Sequence, residues 1–470
     1  MIDLKPGRHI HFVGIGGVSM SALAELLHRR GCRVTGSDRQ ASALTDRLAA
    51  MGIGVQIGHA AGAVGDAECV VYTSAASEGN PELRAARERG ISMLRRAEFL
   101  GHLSAAHRVV AVAGTHGKTT TTAMVGAVLE AAGQDPTVLV GGVVRGPESN
   151  LRVGDGDIWA IEADEFDRSF LTLTPTVAAV TSLEEEHLDC YRDLASIHAA
   201  FEQFLGAVRP GGWAVLCGDD SGVRGLKTAG GCERVLYGLG GQSRIQAVDV
   251  VREGFGSRFQ VLDAGEALGE VRLQAPGMHN VSNALAAVGV GRVLDLPWEA
   301  VAAGLASFRG VHRRFEIVGE AGGMMVVNDY AHHPTEIRAT LATARAGWDG
   351  RILAVFQPHL YSRTRDFAPA FGEALRAADR VWVADVYPAR EAPLPGVTGG
   401  LVVAHVRTDA VDYVPEFKDL GPAVIAEVKP GDLVVVMGAG DVERVAREVY
   451  ETLKAGVQET PRPGVEAPHV

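Results

Sequence analysis

The stretch VVAVAGTHGKTTTT, Val109–Thr122, decides how the chain is to be read. Val109–Val112 is a β-branched, apolar run that predicts a buried strand, and Ala123–Ala132 has the apolar spacing of a helix. Between them Gly114, Thr115, His116, Gly117, Lys118, Thr119 and Thr120 form a turn built for phosphate. Glycines let backbone N–H groups converge on phosphate oxygens at a helix N-terminus, a lysine adds a mobile positive charge, and the Thr119 hydroxyl is placed to ligate Mg²⁺. The turn is shorter than the usual P-loop, which would place a glycine at Val112. The competing reading is a Gly/Thr turn with a solvated lysine; strand, turn, helix and four consecutive threonines favour a nucleoside triphosphate.

Outward from this stretch, the composition sets bounds. The 470 residues predict two to four domains, and 47% hydrophobic with 22% charged residues is ordinary for a globular chain. Five scattered cysteines without a CxxC pair argue against a disulfide framework and a structural zinc site. With 45 Lys+Arg against 57 Asp+Glu, net −12, and no basic tract interleaved with aromatics, nucleic acid is not an expected partner. No long apolar window predicts a membrane span, and MIDLKPGRHIHFVGIGG leads into a strand without a signal-peptide pattern, so a cytoplasmic location is expected.

The N-terminal segment reads as a βαβ unit: a strand His9–Val13, a glycine turn Gly14-Ile15-Gly16-Gly17-Val18-Ser19, a helix Ser21–Arg30 and a strand from Arg33 that ends near Asp38. This resembles the dinucleotide fingerprint with Ser19 at the third glycine position. A nicotinamide or flavin site, another diphosphate ligand and a structural turn all remain open. A further strand, Cys69–Thr73, brings Thr73 and Ser74 to the same sheet edge.

In the central segment the strand Ile158–Ile161 ends in Glu162-Ala163-Asp164-Glu165, where an acid meets a Mg²⁺ held by Thr119, with a solvated acidic turn as the alternative. Val177–Thr181 delivers His187, set between acids, as a metal ligand, an organiser of a metal-bound water or substrate carboxylate, or a structural histidine. Trp213–Pro276 reads as a strand-rich subdomain. Asn280 and Asn283 share a helix face suited to an adenine edge, with Asn280 as a helix cap the alternative. Gly310–Glu316 reads as a hinge whose adjacent Arg313 and Arg314 point to different sides of an extended segment. Beyond it, strands ending in Asp329-Tyr330-Ala331-His332 and in Gln357-Pro358-His359-Leu360-Tyr361-Ser362-Arg363 present a further ligand surface, and the tail from Ala455 is expected to be disordered.

Eight ordered motifs, GIGGVSMSALA, GTHGKTTTT, EADEFD, EHLD, GMHNVSNALAA, HRRFE, DYAHHPTE and QPHLYSRTRD, resemble those of the Mur ligase family over essentially the whole chain. The resemblance implies an α/β fold of three domains: a Rossmann-like UDP-sugar-binding domain at 1–105, a P-loop ATPase-like domain at 106–311 and a Rossmann-like amino-acid-binding domain at 312–456, with 457–470 a disordered tail. It implies an ATP-dependent carboxylate–amine ligase of the L-alanine-adding branch. That enzyme joins L-alanine to the lactyl carboxylate of UDP-N-acetylmuramate through an acyl phosphate, acting in peptidoglycan precursor synthesis as a monomer or homodimer.

Carried onto this sequence, the family assigns Gly14, Ile15, Gly16, Gly17, Ser19, Asp38, Thr73 and Ser74 to the UDP-sugar, and Gly114–Thr120, Asn280, Asn283 and Asp329 to ATP. Thr119, Glu162 and His187 go to Mg²⁺, Lys118, His187 and Arg313 to catalysis, and Tyr330, His332, His359 and Arg363 to the amino acid. Two features stand out against the family pattern. Leu360 occupies a position expected to be polar, and no lysine lies between Arg192 and Arg209, where sister ligases carry a carbamylated one. A murein-recycling ligase adding a preformed tripeptide, an NAD-dependent oxidoreductase and a non-catalytic nucleotide-gated binding protein are the alternatives.

Overall fold

The computed structural model describes residues 5–185, 190–228, 230–389 and 391–459. The chain divides into two compact units. One holds the chain through Val251 with Arg258–Gln274 and Asn280–Arg309; the other holds Arg252–Ser257, Ala275–His279 and the chain from Gly310. Three sheets run through them.

The first sheet is built from β1 (His9–Val13), β2 (Arg33–Asp38), β3 (Gly54–Ile57), β4 (Cys69–Tyr72) and β5 (Ser92–Arg95), in the order β3-β2-β1-β4-β5. All four pairings are parallel. The order reverses between β1 and β4, so the turn after β1 and Thr73 after β4 flank the crevice where open parallel sheets take ligands. Ile10 and Phe12 go into one hydrophobic layer; His9 and His11, on the opposite face of the same strand, are also buried.

The second sheet has ten strands: β6 (Arg108–Ala113), β7 (Thr137–Val144), β8 (Ser149–Arg152), β9 (Ile158–Glu162), β10 (Val177–Val180), β11 (Trp213–Cys217), β12 (Glu233–Gly238), β13 (Ile245–Glu253), β14 (Gly256–Asp263) and β15 (Glu266–Leu273). Their order is β15-β14-β13-β12-β11-β10-β6-β9-β7-β8. Strand β6 lies between β9 and β10, parallel to both, with Val112 opposite Glu162 and Ala113 opposite Val180. A run of five buried apolar residues, Val109–Ala113, is what a strand covered on both faces requires.

The second unit carries β16 (Glu316–Ala321), β17 (Met324–Asp329), β18 (Ile352–Phe356), β19 (Arg380–Ala384), β20 (Val411–Val414) and β21 (Leu433–Met437), ordered β16-β17-β21-β18-β19-β20. Only the edge strand β16 is antiparallel. Phe315, Ile337, Leu341 and Phe371 form the apolar layer on one face, and Trp382, Leu420, Val442 and Val445 form it on the other. Each such side chain contributes about 1.5–3 kcal/mol by leaving water.

The α/β class and the three sheets agree with the sequence reading; four local expectations do not. Strands from Trp213 onward extend the central sheet instead of forming a separate subdomain, because β10 leaves a parallel edge that β11 pairs with. The helix that carries Asn280 and Asn283 runs from Met278 to Val293, so Asn280 lies inside it and is not its cap. The hinge is not extended: Arg313 and Phe315 have φ of 60° and 44°, which fold the segment back on itself. The last helix, Glu443–Glu459, continues through Ala455, where a disordered tail was expected to begin. Residues 460–470 lie outside the described residues.

Candidate active site

The first glycine turn is fixed by the end of β2. The Ser37 carbonyl accepts the N–H groups of Gly14 and Ile15 at 2.8 and 3.0 Å, and an Asp38 carboxylate oxygen accepts Gly16 N–H at 2.8 Å. A Cβ at Gly16 would lie 2.9 Å from that oxygen, so the turn demands glycine there. Gly17 is the N-cap of helix Val18–Arg29, and Ser19 lies in its first turn. Thr73 stands against Gly14, and Ser74 follows it at the crevice rim.

The second turn is richer in charge. Gly117 has φ of 85° and caps helix Lys118–Ala131; a Cβ on it would meet the Asn283 amide oxygen at 2.6 Å. Asn283 Nδ2 donates to Asn280 Oδ1 at 3.0 Å, so the two asparagines form one buried pair behind the turn. The segment after β10 closes onto the turn. Ser182 accepts His116 N–H at 2.9 Å, Thr115 Oγ1 accepts Glu184 N–H at 2.9 Å, and Thr181 donates to the His116 carbonyl at 2.5 Å. Thr120 is buried in the first turn of the helix.

The Lys118 ammonium donates to the Gly114 and Thr115 carbonyls at 2.7 and 3.2 Å and to the Glu165 carboxylate at 2.8 Å. Glu165 is 2% exposed, and its backbone carbonyl accepts the Tyr191 hydroxyl at 2.7 Å. Beside this ion pair, Thr119 Oγ1 donates to Glu162 Oε1 at 3.0 Å, and Gly141 N–H donates to Glu162 Oε2 at 2.6 Å. Burial pushes the Glu162 carboxyl above the usual range, against the pull of the Gly141 N–H and the Lys118 charge. A carboxylate and a hydroxyl, hard oxygens beside a helix N-terminus in a place that penalises an uncompensated negative charge, suit Mg²⁺. His187, expected as a third ligand, lies outside the described residues.

In the second unit, Tyr330, His332 and His359 are brought together at the ends of β17 and β18. Ring centroids are 5.1 Å apart for Tyr330 and His332 and 5.7 Å for His332 and His359, and Tyr387 continues the series at 5.9 Å from His359. Arg363 lies in the first turn of the helix Tyr361–Leu375 that the His359 loop begins. Leu360, at φ of 69°, is buried at the N-cap of that helix and donates its N–H to the Tyr387 carbonyl, so an apolar residue fits.

Contacts around Tyr330 hold the hinge. The Arg313 and Arg314 guanidinium groups lie 4.7 and 5.3 Å from the Tyr330 ring centroid, and Arg314 pairs with Glu336. Arg313 also donates to the Gly438 and Gly440 carbonyls at 2.8 Å each and pairs with Glu443. Asp329, assigned to ATP by the family resemblance, is buried and accepts the N–H groups of Phe315 and Ala331 at 2.6 and 2.7 Å. Burial pushes its carboxyl up to about 6.

Three family models match in series: "Mur ligase family, catalytic domain" at residues 9–108, "Mur ligase middle domain" at 112–291 and "Mur ligase, glutamate ligase domain" at 313–440. The chain belongs to the Mur ligase family. This Mur ligase is 50% identical over 454 residues to the UDP-N-acetylmuramate–L-alanine ligase of Salinibacter ruber, covering 95% of each chain. It is 44% identical to the ligase of the same name from Syntrophobacter fumaroxidans, over 96% of this chain and 97% of the other. Among solved structures it resembles UDP-N-acetylmuramate-alanine ligase MurC from Thermotoga maritima, with TM-score 0.82 and 29% identity over 95% of this chain and 99% of the other. The murein peptide ligase of Psychrobacter arcticus, at TM-score 0.70 and 24% identity over 95% and 99%, shares the fold.

Sequence reasoning about this Mur ligase missed Glu165, Tyr387 and the inward Arg314. The signal for Glu165 was present, since a lysine drawn into a turn at the end of a buried strand needs an acid, and EADEFD offers several. Tyr387 lies in a loop without a motif.

Proposed function

We propose that the chain is an ADP-forming ligase that joins L-alanine to the lactyl carboxylate of UDP-N-acetylmuramate, in peptidoglycan precursor synthesis. The observation that carries this reading is the cradle in which Lys118 and Thr119 face two strand-end acids. Likeness to ligases named for that reaction at 50% and 44% identity supports the choice of substrates.

In this reading the first glycine turn and Asp38 hold the uridine diphosphate, with Ser19, Thr73 and Ser74 at the rim. Gly114–Thr120 holds the ATP phosphates, with Asn280 and Asn283 toward the adenine. The lactyl carboxylate attacks the γ-phosphorus and ADP leaves; the neutral amine of L-alanine then attacks the acyl phosphate, and phosphate departs from the tetrahedral intermediate. Lys118 spreads the charge of the transferring phosphoryl group, and Arg313 is assigned as a second cation for it. Thr119 and Glu162 are the residues that would hold Mg²⁺, which when bound supplies charge neutralisation on the phosphate oxygens. Tyr330, His332, His359 and Arg363 are assigned to the amino acid; Asp329 braces the hinge. We place the reaction in the cytoplasm, in a monomer or homodimer; among the described residues no helix is long and apolar enough to cross a membrane.

Offering UDP-N-acetylmuramate and ATP with amino acids one at a time tests the reading by ADP release. Release with L-alanine is expected; release only with a preformed tripeptide overturns it.

A further inference from the structure

A second set of buried polar groups lies in the first sheet, among residues to which no role has been given. On one face of β1, His9 and His11 are 4% and 1% exposed, while Ser37 at the end of β2 and Glu82 in the first turn of helix Pro81–Glu88 are both 0% exposed. They form an unbroken chain. His9 Nδ1 lies 2.8 Å from Asp66, His9 Nε2 and His11 Nδ1 each lie 2.8 Å from Thr35 Oγ1, and His11 Nε2 lies 3.2 Å from Glu82 Oε2. The Ser37 hydroxyl donates to that same oxygen at 2.6 Å and lies 3.0 Å from His59 Nδ1, and Glu82 Oε1 accepts Ala60 N–H at 3.0 Å.

Counting hydrogens gives this chain its chemistry. From Asp66 to Glu82 there are four links, each needing one hydrogen, but two neutral imidazoles and one hydroxyl bring only three. The fourth is an extra proton, carried by His9 or by His11 according to which way the Thr35 hydroxyl points. Burial and the Arg33 charge hold His9 down, while hydrogen bonds from His11, Ser37 and Ala60 hold the Glu82 carboxyl below its usual range in spite of burial. Glu82 thus meets His11 as a carboxylate acceptor. The other charged groups facing the chain are Arg33 and Glu68, with Arg8 paired to Glu68, at its outer end, and His59 at its inner end.

The inner end reaches the glycine turn. Ser37, whose hydroxyl binds Glu82, is the residue whose carbonyl receives Gly14 and Ile15, and Asp38 beside it receives Gly16 and, through its own carbonyl, Gly58 N–H at 2.7 Å. Glu82 therefore ties together the end of β2, the His59–Ala60 turn and the helix that follows the Thr73–Ser74 loop.

We propose that His11 and Glu82 are positioning residues for the nucleotide-sugar, their buried hydrogen bonds fastening the three segments around the first glycine turn. The inference rests on the assignment of that turn to the UDP-sugar. Losing a charge-assisted buried hydrogen bond changes binding by roughly tenfold.

The test is calorimetric affinity for UDP-N-acetylmuramate, with KM and kcat, in the full chain and in Glu82→Gln, which keeps shape but not charge. In Glu82→Gln Kd and KM for the nucleotide-sugar rise roughly tenfold, while kcat and the KM for ATP change far less. Unchanged Kd and KM in Glu82→Gln overturn the proposal. Backbone amide exchange of the unchanged protein and the variant separates positioning from a failure to fold: faster exchange confined to Gly14–Gly16, Gly58 and Ala60 is expected, and exchange raised evenly through the first sheet overturns the proposal. Absence of ADP release with L-alanine in the unchanged protein would instead remove the functional reading, leaving the exchange result to stand alone.

Discussion

The two glycine turns, Gly14–Gly17 and Gly114–Gly117, leave parallel strands toward helices in the same way but are held by opposite means. The first is held by acceptors, the Ser37 carbonyl and the Asp38 carboxylate, which receive three backbone N–H groups. The second carries its own cation, and Lys118 is drawn over the Gly114 and Thr115 carbonyls by Glu165. A turn without a cation recognises a diphosphate that only has to be bound. A turn with a lysine suits a phosphoryl group whose charge moves during reaction. In the proposed function one motif, differently braced, serves binding in the first sheet and chemistry in the second.

The strongest way to break the contrast is Lys118→Met. It is expected to lower kcat/KM for ATP roughly a thousandfold, with calorimetric affinity for UDP-N-acetylmuramate little changed; equal loss of both would mean that the turns are not separate devices. Glu165→Ala leaves a buried lysine without its acid and is expected to destabilise the first unit by about 3 kcal/mol, read by urea unfolding. Gly16→Val puts a side chain against Asp38 and is expected to weaken UDP-sugar binding roughly a hundredfold while fluorescent ATP analogues still bind.

A third strand-end acid, Asp329, sharpens the comparison because it meets only N–H groups of its own unit. Burial lifts it to about 6, offset in part by Arg314 and the N–H groups of Phe315 and Ala331. The folded state keeps this proton to higher pH than the unfolded chain, so its contribution is full below the ordinary carboxylate pKa and is lost as pH rises through about 6. Calorimetry of unfolding between acid and neutral pH is expected to show a fall of about 3 kcal/mol from this group, flattened in Asp329→Asn.

Much of this was legible in the residues. The β-branched run Val109–Val112 and the glycines after it placed the phosphate turn, because strand burial and positive φ both restrict residue choice. The acid-ended strand at Glu162 was legible for the same reason. What escaped depended on pairing across the chain. Glu165 meets Lys118 only because β9 lies beside β6, and Arg313 and Arg314 share Tyr330 only because two residues between His312 and Glu316 are left-handed. The N–H groups that Asp329 accepts come partly from the returning hinge, which no local pattern announces.

The place of β6 between two partners has a consequence for dynamics. Its amides are locked on both sides, and the turn it feeds is joined to the segments after β9 and β10 by its own hydrogen bonds and an ion pair. Nucleotide binding then loses little to ordering the turn. Amide exchange would find Val110–Ala113 slow with or without ATP, so protection by the ligand should be sought at His116–Thr119 and in the segment after β10.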